Sequence, residues 1–260
     1  MEGKKCDSNS CNRESWKDDP CCIFHSKDDE GKADDLKEAM AALLENHRRW
    51  LESNGERGER IDLYEPEISG YDFRGTILSR AILYGANLNY CTFSEADLSG
   101  VEMHGSSLCQ ADFCACNLRE AQISGCDLHA AFFLDADLTN ADISDSDLTD
   151  AEFNQAILRK ANLIGVGCME TSFADADLSE ANVSYAALWN SSLGGAILKD
   201  ASLRGANLEG TRYVTAAQLL EVETLYDVKC LDLTRLPDWS QLSPGEQQHL
   251  TELVREKPDD

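Results

Sequence analysis

Nowhere in this 260-residue chain do about eighteen apolar residues follow one another, so no membrane-spanning helix is expected. The opening Met1-Glu2-Gly3-Lys4-Lys5-Cys6 lacks the apolar core of a secretory leader. Basic residues are scarce: 23 Lys and Arg stand against 48 Asp and Glu, for a net charge of −25. Like charges repel, so neither nucleic acid nor an anionic membrane is an expected direct partner, and the surplus favours solubility. Ordinary periodicity is also missing from the middle of the chain. Between Ile68 and Leu208 the apolar residues follow neither the 3.6 spacing of a helix nor the alternation of a strand.

A spacing of five takes their place. Phe73, Leu78, Leu83 and Leu88 open a series that keeps register to Leu203 and Leu208. From Leu83 onward, two residues before each stands a compact side chain, usually alanine, otherwise Cys91, Val101, Ser106, Cys116, Cys126, Ser146, Val166, Thr171 or Ser191. A second period lies on top of the first. Phenylalanine recurs at 73, 93, 113, 133, 153 and 173, and the series from Leu78 to Leu198 is leucine at each twentieth residue. Four pentads therefore close one coil, and like side chains stack in ladders along an axis. A single coil cannot bury its apolar side, but a stack makes a continuous core. At a strand spacing of ~4.8 Å, roughly seven coils give a rod on the order of 35 Å long.

The pentads Ala96-Asp97-Leu98-Ser99-Gly100, Ala136-Asp137-Leu138-Thr139-Asn140 and Ala206-Asn207-Leu208-Glu209-Gly210 resemble the pentapeptide-repeat family. The resemblance implies an all-β solenoid, a right-handed quadrilateral β-helix, over residues 68–213. It leaves function open, because fold does not fix function. Some members of that family bind DNA gyrase and protect it from quinolones by imitating the charge of duplex DNA. In such members C-terminal helices make dimer contacts, and in some bacterial members short Cys/His elements precede the repeats.

Residues 1–33 are polar and irregular, yet Cys6, Cys11, Cys21, Cys22 and His25 fall close together. Zinc takes four nitrogen or sulfur ligands in a tetrahedron, and a segment without a core needs such a clamp to be ordered. Cys22-Ile23-Phe24-His25 places two ligands within reach of one ion, and Cys6 and Cys11 complete a structural Cys3His zinc site, with Cys21 as a substitute. The plain alternative is a tail with reactive or disulfide-forming cysteines. Inward repeat positions hold Cys91, Cys116, Cys126 and Cys168 as small apolar groups, which fits a reducing cytoplasm.

Residues 34–67 read as a capping helix and a charged connector. Leu36, Met40, Leu43, Leu44, His47, Trp50 and Leu51 form one apolar stripe, and Ser53-Asn54-Gly55 supplies the stop. Laid across the first coil, the helix would cover an open strand edge, with His47 packed at the core rim; dimerisation is the competing use. In residues 214–260, Thr215 is expected to cap a helix from about Ala216 to Leu225. Ser243-Pro244-Gly245-Glu246 is expected to start a second helix, near Arg255 at its end, that docks on a neighbour or supplies a homodimer contact.

Function must lie on the outward positions. Glycine at 85, 105, 125, 165 and 205 marks a corner that requires positive φ rather than a phosphate loop. The repeat carries 20 acidic against 8 basic residues, and no Lys or Arg lies between Arg119 and Arg159. Glu95 and Asp97, Asp135 and Asp137, and Asp175 and Asp177 pair on alternate coils about 10 Å apart. The intervening coils carry Ala115/Asn117 and Gln155/Ile157, which relieves like-charge stacking. His104, His129 and Cys109 face outward without a nucleophile, base and acid in one group, and the filled interior leaves no ligand pocket. The exposed apolar residues are Tyr84, Tyr90, Phe132, Leu134, Ile164, Tyr185 and Trp189, of which Tyr185 and Trp189 flank one corner as partner anchors. The expected activity is non-enzymatic protein binding by a scaffold; the alternative is an acidic DNA mimic acting on DNA gyrase or another DNA-binding enzyme.

Overall fold

A computed structural model describes residues 32–255. Parallel bridges join each residue before a core position to its counterpart twenty residues on, as in Asp97 to Asn117, Asn117 to Asp137 and Asp137 to Ile157. Four pentads thus make one coil. Most pentads end in a turn whose closing amide returns to the core residue's carbonyl, for example Ala96 N–H to Phe93 O at 2.9 Å. The phenylalanine ladder stacks down the axis: Phe93 and Phe113 lie 5.0 Å apart with planes 4° from parallel, and Phe113 and Phe133 lie 4.9 Å apart. These spacings match the separation of hydrogen-bonded strands, so every ring meets its copies at van der Waals distance.

The turn explains the pentad. Positive φ recurs at the second residue after each core position, at Glu95 (61°), Ala115 (53°), Asp135 (58°), Gln155 (60°) and Asp175 (57°). The expected glycine column does have positive φ, but it is one corner of four that all require it. Most corner residues are not glycine. They hold a conformation costing roughly 1–2 kcal/mol each, imposed by a hydrogen bond to the following coil, as from Glu95 N–H to Cys114 O at 3.0 Å.

Compact residues of the inner wall do more than fill space. Ser106 Oγ accepts from Ala86 N and donates to Leu83 O, both at 3.0 Å, and Ser146 bridges Cys126 N and Ile123 O in the same way. Cys91, Cys116 and Cys126 donate their thiols to the carbonyls of Ile68, Ala96 and Met103. These three inward cysteines are therefore hydrogen-bond donors to neighbouring coils as well as small apolar groups. Among the described residues no buried side-chain nitrogen or oxygen lacks a partner.

Both ends differ from the sequence reading. Helix α1 runs Lys32–Glu52, and Met40 and His47 are buried on the solenoid, where His47 meets Ser79 O at 3.0 Å. The ladder begins within the supposed connector: β1 (Asp62–Tyr64) pairs in parallel with β2 (Ile82–Tyr84), setting Leu63 against Leu83. At the other end α2 spans only Ala216–Leu219, not the longer helix expected from Thr215. It stops because the chain rejoins the ladder two residues out of phase, with Thr224 bridging Ser202 and Lys229 bridging Asn207. The Gln218 side chain donates to the Leu193 and Ala196 carbonyls, closing backbone acceptors of the last full coil. Helix α3 (Pro244–Arg255) starts with the expected Ser243–Glu246 capping box and buries Leu250, and its Leu253 carbonyl accepts from Leu225 N.

Candidate partner-binding face

Asp and Asn dominate the outward position before each core residue for a local reason. The Oδ1 of Asp97 accepts the Ser99 amide at 3.1 Å, and Asp137 and Asp177 accept those of Thr139 and Ser179 at 3.0 Å. Each side chain thereby braces the turn that follows it. The carboxylates of the walls are thus turn-makers before they are ligands.

On one wall Asp97, Asn117, Asp137, Ile157 and Asp177 follow one another coil by coil, so the acidic alternation exists in space. It is not bare. Asn117 Nδ2 donates to Asp97 Oδ1 at 2.8 Å, Arg119 lies 3.1 Å from Asp137, and Arg159 lies 3.4 Å from Asp177. The coils that looked neutral from positions 115, 117, 155 and 157 carry a guanidinium at the corner, which offsets two of the three wall carboxylates. Glu95, Asp135 and Asp175 occupy the adjoining corner, where Asp175 leans over Gly195.

A different wall turns apolar. Tyr185, Ala187 and Trp189 succeed one another across it, and Gly167 bridges Ala187 from the coil before, next to Met169. Elsewhere the same outward column reads Glu67, Asn87, Ser107, Asp127, Asp147 and Asn207. Gly167 and Ala187 are thus where this wall loses its polar side chains. Around them Tyr185 is 55% exposed, Trp189 43% and Met169 42%. The Tyr185 ring rests on the next coil at Gly205, where an added Cβ would come within 2.6 Å of Cδ1.

The two predicted anchors, Tyr185 and Trp189, thus border one surface. Gly167, Ala187 and Met169 were missed, although two successive residues without polar side chains in one twenty-residue column were a usable signal. Ile164, expected to be exposed, is half-buried. Tyr84, Tyr90, Phe132 and Leu134 are exposed, with Tyr84 between Tyr64 and His104 at ring distances of 6.0 and 5.9 Å. His104 bonds Ser124 at 2.8 Å, and His129 lies 4.0 Å from Asp150. Burial first, then Asp127, pushes the Cys109 thiol up to about 11, away from nucleophilic use. A groove lined by Leu36, Tyr71 and Asp72 lies beside α1, outside the filled interior.

Cys6, Cys11, Cys22 and His25 lie outside the described residues. Among the described residues, no three His, Cys, Asp or Glu side chains converge to hold a metal ion, and no helix is long and apolar enough to cross a membrane.

Pentapeptide repeats match in eight copies over residues 67–105, 97–135, 136–166 and 171–212. These spans take in more than half of the chain, and the protein belongs to the pentapeptide-repeat family, whose fold is the right-handed quadrilateral β-helix. No curated protein matches the sequence significantly. Among solved structures, HetL, a pentapeptide repeat protein involved in heterocyst differentiation regulation from the cyanobacterium Nostoc sp. strain PCC 7120, is 24% identical, with 70% of this chain and 92% of HetL covered and a TM-score of 0.26. Trypsin-treated QnrB1, a plasmid-mediated fluoroquinolone resistance protein, is 19% identical over 65% of this chain and 81% of its own, with a TM-score of 0.39. Rfr23 from the cyanobacterium Cyanothece 51142 is 18% identical over 72% and 99%, with a TM-score of 0.17.

Proposed function

We propose that this protein is a non-enzymatic scaffold that binds another protein through the wall bearing Tyr185 and Trp189. The observation that carries the reading is the coincidence of three exposed large apolar side chains with a floor of Gly167 and Ala187. A rigid solenoid presents such a surface without an ordering cost on binding, and aromatic anchors supply most of the energy of protein interfaces. The test is affinity capture with the intact chain and with a Tyr185→Ala/Trp189→Ala variant. A partner retained equally by both, with both folded by circular dichroism, removes this wall as the binding surface.

The competing reading is an acidic mimic of duplex DNA that occupies DNA gyrase or another DNA-binding enzyme. It is favoured by the absence of Lys and Arg between Arg119 and Arg159, and opposed by the pairing of Arg119 and Arg159 with Asp137 and Asp177. A gyrase supercoiling assay decides: no inhibition at micromolar excess of purified protein discards it.

Two further parts of the reading rest on the sequence. Cys6, Cys11, Cys22 and His25 are proposed to hold a structural zinc in a cytoplasmic protein, and a terminal helix is proposed to make a homodimer. Full zinc stoichiometry in a Cys22→Ala/His25→Ala variant rules out that ligand set. A monomer mass by light scattering at high concentration rules out the dimer.

A further inference from the structure

The apolar wall has an uneven border, and the border states what kind of partner fits. On the coil before Gly167 and Met169, three carboxylates follow one another across the same wall and its corners: Asp145, Asp147 and Asp150. Asp145 leans over the next coil, while Asp147 Oδ1 accepts the Thr149 amide at 2.9 Å and borders that coil. A Cβ built on Gly165 would stand 2.8 Å from Asp145 Oδ1, and one on Gly167 would stand 3.7 Å from Asp147 Oδ1. Gly165 thus leaves room for the Asp145 carboxylate to lie over the next coil. Glu170 and Glu209 continue the acidic border along the Met169–Trp189 corner. Neither Asp145 nor Asp147 is ion-paired with Lys or Arg among the described residues, in contrast to Asp137 and Asp177 on the other wall. The cations lie at the opposite end of the wall, where Arg204 faces the Tyr226 ring at 5.7 Å and Lys229 bridges Asn207, two coils beyond Ala187.

We propose that this wall takes an extended segment of a partner protein that carries apolar side chains followed by lysine or arginine. The apolar side chains lie on Gly167 and Ala187 between Tyr185 and the Met169–Trp189 pair. The basic groups reach one coil further, about 4.8 Å along the axis, to Asp145 and Asp147. Charge complementarity selects this occupant: an acidic or uncharged segment would leave two adjacent carboxylates without counter-charge beside a desolvated surface. Gly205 acts as a positioning residue, because the Tyr185 ring lies flat only where the next coil has no Cβ. The inference rests on the scaffold reading and adds the chemistry of the partner.

The test uses the full chain and three fluorescent eight-residue peptides: leucine alternating with lysine, with glutamate, and with serine. Fluorescence polarisation is read at two salt concentrations. The lysine peptide is expected to bind at least tenfold tighter than the serine peptide, and the glutamate peptide not at all. The deciding variant is Ala187→Glu, which adds negative charge but fills the floor. Site binding predicts loss of the lysine peptide, whereas mere attraction to an acidic protein predicts tighter binding. Trp189→Ala, which keeps the charge, is expected to weaken binding at least tenfold, Asp145→Asn/Asp147→Asn to remove the preference for lysine, and Gly205→Ala to weaken binding severalfold. Equal binding of lysine and serine peptides, both lost in Trp189→Ala, overturns the basic partner and leaves the scaffold wall standing. Lysine-peptide binding unchanged in Trp189→Ala and Ala187→Glu, with both folded, overturns both.

Discussion

His47 and Ile61 meet through a hydrogen bond that fixes the protonation of a buried ring: the Ile61 amide donates to Nδ1 at 3.2 Å, while Nε2 faces the Ser79 carbonyl at 3.0 Å. Both contacts hold only for a neutral imidazole with its proton on Nε2. The ring also stacks on Trp50 at 5.7 Å. Burial lowers its pKa from 6.5, the Ser79 contact opposes this, and the charge of Arg60 adds to the lowering. A depressed histidine pKa means the unfolded chain binds the extra proton first, so stability is complete above 6.5 and is lost as pH falls below it. The urea midpoint should drop between pH 7.5 and 5.5, and drop less in His47→Gln. That variant should itself lose ~1–3 kcal/mol at pH 7.5, from a buried donor and acceptor left unpaired. Equal pH slopes for the two proteins would remove this role of His47.

The positive-φ corners predict stabilisation by glycine where no side-chain contact is lost. Ala130 holds φ 54°. Ala130→Gly relieves roughly 1–2 kcal/mol of left-handed strain against roughly 0.4–1 kcal/mol of added unfolded-chain freedom. A small rise in the urea midpoint is expected. Gly195→Ala should do the opposite, because its Cβ would stand 2.0 Å from Asp175 Oδ1.

The ring ladder predicts a graded series. Phe113→Ala opens a void between Phe93 and Phe133 and should cost about 3–5 kcal/mol. Phe113→Leu should cost less, since Leu193 already serves in that column. Comparable losses in calorimetry for both variants would show that ring stacking, rather than volume, sets the cost.

Thiol reactivity should follow the wall. Burial pushes Cys91 up to about 12 and Cys126 up to about 11, and raises Cys116 and Cys168 as well, so thiolate is scarce at neutral pH. Cys230 is exposed. Iodoacetamide at pH 8 should label Cys230 in the native chain and reach the other four only in urea, as read by peptide mass. Native labelling of Cys116 at the rate of Cys230 would contradict the packing.

Ser106 tests the wall hydrogen bonds separately from its volume. Ser106→Ala leaves Ala86 N and Leu83 O without their partner and should cost ~1–3 kcal/mol. Ser106→Cys should recover part of this, since Cys126 already donates to the equivalent Met103 carbonyl.

By itself the sequence determined the interior. A fixed period of five within one of twenty leaves a single way to bury Phe73, Leu78, Leu83 and their copies, because each coil must lie on the next. Tertiary structure decided what the period does not encode. Leu63 and Thr224 lie beyond the clean repeat, yet the ladder reaches both, since an open strand edge recruits any backbone that can pair with it. The surface was decided in the same way. Asp137 looks like its neighbours in sequence, but only stacking brings Arg119 to it, while Gly167 and Ala187 become a floor only when residues twenty apart touch.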